Sequence, residues 1–144
     1  MKNIGKINIE KAGLQEMGTI FELAEKLATS FKVKRECFEP SYVSILKNGS
    51  SIVLKAEIDG KIIGYCLGFI HPAFYANGKI AWLEEIYVNE KLRKKGVGKL
   101  LMSEFESWAK DRDCILCALA TRRASEFYTA IGYEDSAVYF KKNL

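Results

Sequence analysis

The sequence predicts a mixed α/β domain whose elements follow the order β-α-α-β-β-β-α-β-α-β around an antiparallel centre. Three observations lead to this prediction. A chain of 144 residues, 49% of them hydrophobic, has the length and composition of one globular domain. The pair Asp59-Gly60 separates two apolar runs, which is a strong hairpin signal. From Val97 onward, apolar residues recur at helical spacing. We therefore expect residues 1–144 to form a single domain.

The first half of the chain predicts a strand, two helices and a hairpin. An apolar strand is expected near Ile4 to Glu10, and an amphipathic helix follows it. The apolar side of this helix carries Leu14, Met17, Phe21, Ala24 and Leu27. A loop and a second short helix are expected between Phe31 and Lys47. The hairpin strands are the runs S-I-V-L-K-A-E-I and K-I-I-G-Y-C-L-G-F-I on either side of Asp59-Gly60.

The second half predicts a strand, a long helix, a strand, a short helix and a last strand. The run K-I-A-W-L-E-E-I-Y-V is the strand that precedes the long helix. The apolar face of that helix consists of Val97, Leu100, Leu101, Phe105, Trp108 and Ala109. A strand at Ile115 to Ala120 comes next. The short helix is indicated by the spacing of Ala124, Phe127, Tyr128 and Ile131, and the last strand ends near Phe140.

The apolar runs and the cysteines of the sequence indicate the cellular compartment in which the protein is expected. The first six residues hold no apolar run suited to a signal peptide, and no stretch approaches ~18 apolar residues. We therefore expect a cytoplasmic protein without membrane contact. Cys114 and Cys117 form a C-x-x-C, but they lie in a predicted buried strand, where residues three apart point to opposite faces. Four free, packed thiols and no metal site are expected.

The segment R-K-K-G-V-G at residues 93–98 places two glycines in the first turn of the long helix. Each glycine should weaken that helix by roughly 1 kcal/mol relative to alanine. The unpaired N–H groups of a first helical turn bind anions, and glycine lets a phosphate approach closely. Five cations without an acidic residue among them surround the glycines, namely Lys91, Arg93, Lys94, Lys95 and Lys99. The sequence therefore predicts a phosphate site here.

Other anion-binding motifs fit this segment less well. A Walker A loop requires a glycine where Arg93 stands and Ser or Thr where Leu100 stands. A dinucleotide-binding fingerprint requires a third glycine at Leu101. A nucleic-acid module is the remaining alternative, but the cations lie in one loop without an aromatic platform. We therefore expect no nucleic-acid partner.

Two motifs in order resemble the GNAT superfamily of N-acetyltransferases. The first is R-x-x-G-x-G after L-E-E-I-Y-V, and the second is A-S-E-F-Y-T-A-I-G-Y-E at residues 124–134. The resemblance covers about residues 80–140 well and the first 50 residues by element order. It implies a GNAT-like fold in which the parallel strands at Trp82–Val88 and Ile115–Ala120 splay apart. The pantetheine arm of acetyl-CoA would then lie in the gap.

The resemblance also implies which residues bind acetyl-CoA. Backbone groups near Ile86 and Val88 would bond to the pantetheine, and residues 94–99 would receive the pyrophosphate. The expected cofactor-binding residues are Ile86, Tyr87, Val88, Arg93, Lys94, Lys95, Gly96, Val97, Gly98, Lys99, Thr121 and Tyr128. At Thr121 the sequence departs from the family, in which asparagine is common.

The implied reaction is direct attack of an amine on the thioester in a ternary complex. At pH 7, exposing the lone pair of an alkylamine with a pKa of ~10.4 costs ~4.6 kcal/mol, so a proton acceptor is needed. Glu84 is the expected general base, acting directly or through water, because it shares strand parity with Trp82, Ile86 and Val88, and several members of the family that the sequence resembles carry a base on that parity. Glu85 is the alternative. The Val88 N–H would donate to the oxyanion, and Tyr128 would hydrogen-bond or protonate the thiolate.

The acceptor and the assembly are left open by the sequence. A small-molecule or peptide amine is expected, selected by residues within 31–47 and 72–78. A non-catalytic acyl-CoA-binding sensor or interaction domain is the alternative to an enzyme. The oligomeric state also stays open, with a homodimer among the possibilities.

Overall fold

The computed structural model describes residues 5–144, so the predicted strand start at Ile4 lies outside the described residues. Within this range, five strands form one sheet in the order β1-β2-β3-β4-β5. The strands are β1 (Ile7–Lys11), β2 (Ser51–Ile58), β3 (Lys61–Ala73), β4 (Gly78–Val88) and β5 (Cys114–Leu119). The helices are α1 (Met17–Leu27), α2 (Arg35–Lys47), α3 (Val97–Asp111) and α4 (Ser125–Ala130). Strands β1 to β4 are antiparallel, whereas β5 runs parallel to β4, which confirms the mixed α/β class.

The β2–β3 hairpin is formed as the sequence predicts. Ile58 pairs with Lys61, so Asp59 and Gly60 form a two-residue turn. Both turn residues have positive φ, 52° and 77°, which is the conformation that a type I′ turn requires.

Helices cover both faces of the sheet. One core lies between the sheet and α3, and the other lies between the sheet and the pair α1 and α2. The buried residues of α3 are Val97, Leu101, Met102, Phe105, Trp108 and Ala109. The predicted face is thus largely confirmed, except that Leu100 is 40% exposed and Met102 takes its place in the core.

A bulge in β5 overturns the prediction for the C-x-x-C. Lys79 pairs with Cys114 and Ile80 with Leu116, so one extra residue lies between the two pairs. The extra residue changes the side-chain parity, and both Cys114 and Cys117 pack against the core beneath α3. All four cysteines are free thiols, but Cys37 is exposed rather than packed.

The predicted last strand is wrong for the described residues. Residues 134–144 form no strand, and every one of them is exposed. Near the end of this segment, Lys141 Nζ donates to Ser30 Oγ at 3.3 Å. A strand needs a partner edge, and here the segment follows α4 without returning to β5.

Two kinds of feature are absent from residues 5–144. None of the helices there has the length and apolar content that crossing a membrane requires. No group of three or more His, Cys, Asp or Glu side chains in that range is arranged to hold a metal ion.

Candidate anion site and catalytic cleft

The loop between β4 and α3 contains a row of backbone N–H groups that have no acceptor among the described residues. The chain takes a left-handed conformation at Lys94, with φ 63°, and again at Gly96, with φ 90°, and α3 begins at Val97. The first hydrogen bond into the helix runs from the Leu100 N–H to the Gly96 carbonyl, at 3.0 Å. Among residues 5–144, no acceptor bonds to the N–H groups of positions 94 to 99. This row of donors is therefore available to an anion.

Glycine is needed at two positions of residues 93–98 for different structural reasons. Gly96 adopts a positive φ, which a residue with a Cβ rarely does, and the space beside it is open. At Gly98, an added Cβ would lie 3.3 Å from Cζ of Phe127 on α4. Gly96 is thus required by the backbone turn, whereas Gly98 allows α4 to pack closely on α3.

Three lysines surround the open N–H groups. The side chains of Lys94, Lys95 and Lys99 are exposed, and none has an ion-pair partner within 4.0 Å in the described part of the chain. Arg93 behaves differently. Its Nε donates to the Val88 carbonyl at 3.0 Å, and its guanidinium carbon lies 5.3 Å from the centroid of the Tyr87 ring. Arg93 therefore ties the loop to the end of β4, and the three lysines supply the cationic field.

Strands β4 and β5 separate beside this loop. Their last paired residues are Leu83 and Leu119, although β4 continues to Val88. On the other edge of β4, the Asn89 N–H donates to the Ile63 carbonyl at 2.7 Å. Because hydrogen-bonded positions alternate along an antiparallel pair, the Val88 N–H and carbonyl point away from β3, toward the gap. The splayed strands that the resemblance implied are thus confirmed.

The carboxylates of β4 lie at a bulge. One extra residue, Glu84, stands between Leu83 and Glu85 in the register with β3. Leu83 before the bulge and Ile86 and Val88 after it all pack against the core beneath α3. The expectation that Glu84 shares a face with Trp82, Ile86 and Val88 therefore holds only for Trp82, which bonds to Glu84, because the bulge reverses the parity relative to Ile86 and Val88. The role of Glu84 as the base stays a prediction.

Each carboxylate accepts one short hydrogen bond. Trp82 Nε1 donates to Glu84 Oε2 at 2.6 Å, and the Tyr65 hydroxyl donates to Glu85 Oε1 at 2.6 Å. Burial, followed by the charge of Glu85, raises the pKa of Tyr65 far above its ordinary value, so Tyr65 acts as a fixed donor. Glu84 is exposed, and no described residue bonds to its other oxygen. Sequence reasoning missed both donors, because neither contact follows from a motif.

Tyr128 lies in the core beneath α3, and its hydroxyl makes no hydrogen bond to a described residue. The residue is 6% exposed, and its ring centroid lies 5.8 Å from that of Tyr133. Burial, with a smaller contribution from Cys66, raises the pKa of Tyr128 to about 12. Since Cys66 is the β3 residue paired with Ile86, the phenol lies close to the unpaired part of β4. Its hydroxyl bonds to no described residue, and its oxygen is not sealed from solvent.

The other predicted cofactor residues contribute in more limited ways. Val97 as a whole is 1% exposed, so it lies in the core and offers almost no surface to a ligand. Ile86 packs against the core beneath α3, and Tyr87 packs on the opposite face of the sheet. Thr121 Oγ1 accepts a hydrogen bond from the Ala124 N–H at 3.1 Å, so this side chain organises the start of α4.

The model of a known protein family matches most of the chain. Residues 19–133 match the model of the acetyltransferase (GNAT) family. An aminoglycoside N(6')-acetyltransferase type 1 of Acinetobacter genomosp. 13 is 35% identical over 80 residues, which are 49% of this chain and 55% of that protein. The chain thus spans about half the length of this relative. An uncharacterized N-acetyltransferase of Methanocaldococcus jannaschii is 30% identical over 114 residues, covering 72% of this chain and 69% of that protein.

Solved structures share the fold over nearly the whole chain. The glucosamine-6-phosphate N-acetyltransferase of Arabidopsis thaliana superposes with a TM-score of 0.84 at 22% identity, over 96% of this chain and 98% of that one. The aminoglycoside N-acetyltransferase AAC(6')-Iy, solved in complex with CoA, superposes with a TM-score of 0.85 at 18% identity, over 100% and 99%. At these identities the likeness concerns the fold.

Proposed function

The chain belongs to the acetyltransferase (GNAT) family, and on that premise we propose that it transfers an acetyl group from acetyl-CoA to a primary amine. The observation that carries the proposal is the row of unbonded N–H groups at positions 94 to 99, which opens beside the gap between β4 and β5. Charge-assisted hydrogen bonds contribute ~1.5–3 kcal/mol each, and micromolar binding requires ~8 kcal/mol. Several backbone donors acting with the lysines reach that value for a diphosphate.

The gap suits the extended arm that follows the diphosphate. Beyond Leu83, the outer edge of β4 has no strand partner among residues 5–144, so its backbone groups are available to a ligand that lies along it. The Val88 N–H points toward this gap. A pantetheine arm carries amide groups, and it would bond to this edge as a strand does. The thioester would then lie between Val88 and Tyr128.

Three groups of the chain would act on the reacting atoms. Glu84 would accept the proton that the acceptor ammonium loses, directly or through water, before the amine nitrogen attacks the thioester carbon. The Val88 N–H would donate to the negative charge that develops on the carbonyl oxygen. As the carbon–sulfur bond breaks, Tyr128 would donate a hydrogen bond to the sulfur, and the second proton that the nitrogen loses would pass to the departing thiolate or to solvent.

The acceptor is proposed to be cationic. Glu84 and Glu85 follow one another at the bulge, just beyond Leu83, where the pairing of β4 with β5 ends, and together they place negative charge beside the unpaired part of β4. An ammonium group is attracted to such a site at neutral pH. Since one relative is an aminoglycoside N(6')-acetyltransferase, aminoglycosides are the first acceptors to test.

Calorimetric titration with CoA tests the binding step. We expect Lys95→Glu to weaken CoA binding at least tenfold, because it reverses a charge beside the open N–H groups. Lys110→Glu is the matched control, since it makes the same change in the last turn of α3 and should leave the affinity unchanged. Absence of CoA binding at low salt, or equal losses in the two variants, would contradict the proposed site.

A thiol-release assay with acetyl-CoA and a panel of amines tests the chemistry. Acceptor-dependent release of CoA supports the enzyme, and mass spectrometry of the product identifies the acetylated amine. Tight CoA binding without turnover on any amine would instead favour the acyl-CoA-binding sensor.

A further inference from the structure

A small cavity with cationic walls lies where β1 ends and β2 begins. Its volume is about 220 Å³, and its charged lining residues are Lys11, Lys47 and Arg112. No acidic residue of the described range lines it, and Asp111 and Asp113, which flank Arg112 in sequence, lie outside the lining. Within residues 5–144, none of the three cations has an ion-pair partner within 4.0 Å. A cavity that gathers unpaired positive charge attracts an anion.

Three different elements bring these cations to the cavity. Lys11 is the last residue of β1, Lys47 is the last residue of α2, and Arg112 directly follows α3. The guanidinium carbon of Arg112 lies 5.1 Å from the centroid of the buried Trp108 ring, so this side chain is held against the core. The cations therefore approach the cavity from separate directions.

Two uncharged donors also belong to the wall of the cavity. Gly49 and Ser51 both line it. The Gly49 N–H has no acceptor among the described residues, and the buried Ser51 hydroxyl has no partner there either. Buried hydroxyls are nearly always hydrogen-bonded in folded proteins, so an unpaired one at a cavity wall indicates a partner that enters the cavity. Rotation about χ1 directs this hydroxyl toward such a partner.

We propose that this cavity binds a phosphate-sized oxyanion, either inorganic phosphate or the phosphoryl group of a small phosphomonoester. The volume of about 220 Å³ is below the ~300–1,000 Å³ of sites for larger organic ligands. Cations from three elements suit a tetrahedral dianion better than a planar carboxylate, because each cation can meet a different oxygen.

The cavity is separate from the row of N–H groups at positions 94 to 99. The helix α3 extends from Val97 to Asp111, which is ~22 Å at ~1.5 Å per residue, and Arg112 lies beyond its far end. One anion cannot contact both places. The cavity can therefore bind phosphate whether or not the chain transfers acetyl groups.

Proton–nitrogen correlation NMR of the complete chain, titrated with inorganic phosphate against chloride at constant ionic strength, tests the proposal. We expect the amide signals of Gly49 and Ser51 to shift and to saturate with a dissociation constant of about 1 mM. Acetate should bind at least tenfold more weakly. Glycerol phosphate distinguishes the two sources, because tighter binding than inorganic phosphate would identify a phosphomonoester, and equal or weaker binding would identify the free ion.

Charge reversal in the cavity wall separates this site from general effects of charge. Lys47→Glu should raise the dissociation constant of phosphate, measured at the Gly49 and Ser51 amides, at least tenfold. Lys26→Glu is the matched control, because both lysines are exposed and lie in the last turn of a helix, where a cation also stabilises the helix itself. Lys95→Glu, in the other anion site, should leave the constant unchanged. Amide shifts that do not saturate, or equal effects of Lys47→Glu and Lys26→Glu, overturn the proposal.

Discussion

Replacing Tyr128 by phenylalanine tests whether the Tyr128 hydroxyl only donates a hydrogen bond to the sulfur of the leaving thiolate or must transfer its proton to it. A thiolate leaving group has a pKa of ~8.5, whereas the buried phenol has a pKa of about 12. Full proton transfer from this phenol to the sulfur would therefore be uphill by about 5 kcal/mol. A donated hydrogen bond to a charged partner contributes ~1.5–3 kcal/mol without that cost. We expect Tyr128→Phe to slow turnover about 10- to 150-fold.

The structure also indicates how the loss should divide between kinetic constants. The Tyr128 hydroxyl bonds to no described residue, so its removal leaves no buried partner unpaired and the fold should keep its stability. The hydrogen bond forms as charge develops on sulfur, so kcat and kcat/KM should fall together while KM for acetyl-CoA stays nearly constant.

Steady-state thiol release measures both constants. Tyr133→Phe is the control, because it removes a neighbouring hydroxyl that donates to Glu106 at 2.8 Å instead of facing the substrate. A loss beyond ~10⁴-fold would show that the phenol is an essential acid, and a loss below about twofold would show that it does not touch the sulfur. Either result refutes the reasoning.

Three other changes follow from individual contacts. Gly96→Ala forces a residue with a Cβ to adopt φ 90°, so thermal unfolding should show a loss of about 1–2 kcal/mol, and a smaller loss would mean that the turn can rearrange. Glu84→Gln should lower kcat/KM by ~10²–10⁴ in the thiol-release assay, whereas a loss below about threefold would shift the role of base to another group. Lys55 Nζ lies 2.7 Å from Glu16 Oε1, and this contact lowers the pKa of the Glu16 carboxyl in the folded protein. The pair therefore stabilises the fold at pH values above the pKa of Glu16 in the unfolded chain, and this stabilisation is lost as the pH falls through the pKa in the folded protein. Denaturant unfolding of Glu16→Gln should therefore show less stability at pH 7 and a flatter dependence below pH ~4.5, and parallel curves would contradict the linkage.

Local chemistry explains the part of the fold and site that the sequence predicts well. The turn at Asp59-Gly60 requires positive φ, which those residue types accept, so the pair specifies the hairpin without help from distant residues. The same holds for the row of donors at positions 94 to 99. A helix that starts after a short loop leaves its first N–H groups unbonded wherever it lies in the fold.

Two of the predictions that failed depended on a partner strand. Glu84 and Ile86 were expected on one face, and Cys114 and Cys117 on opposite faces, because parity was counted along a regular strand. A bulge in each strand reversed the parity. A bulge is an extra residue relative to a neighbour, so it has no meaning until the register of the pair is formed.

The chain alone determined most of its element types, its hairpin and the unbonded N–H groups at the start of α3, because those features depend on φ preferences and on periodicity within a few residues. Only the tertiary structure decided which carboxylate meets which donor, how Arg93 is used and whether residues 134–144 form a strand. These outcomes depend on contacts between residues distant in sequence. The free energy of each contact depends on both of the surfaces that meet, so one segment of the sequence cannot determine it.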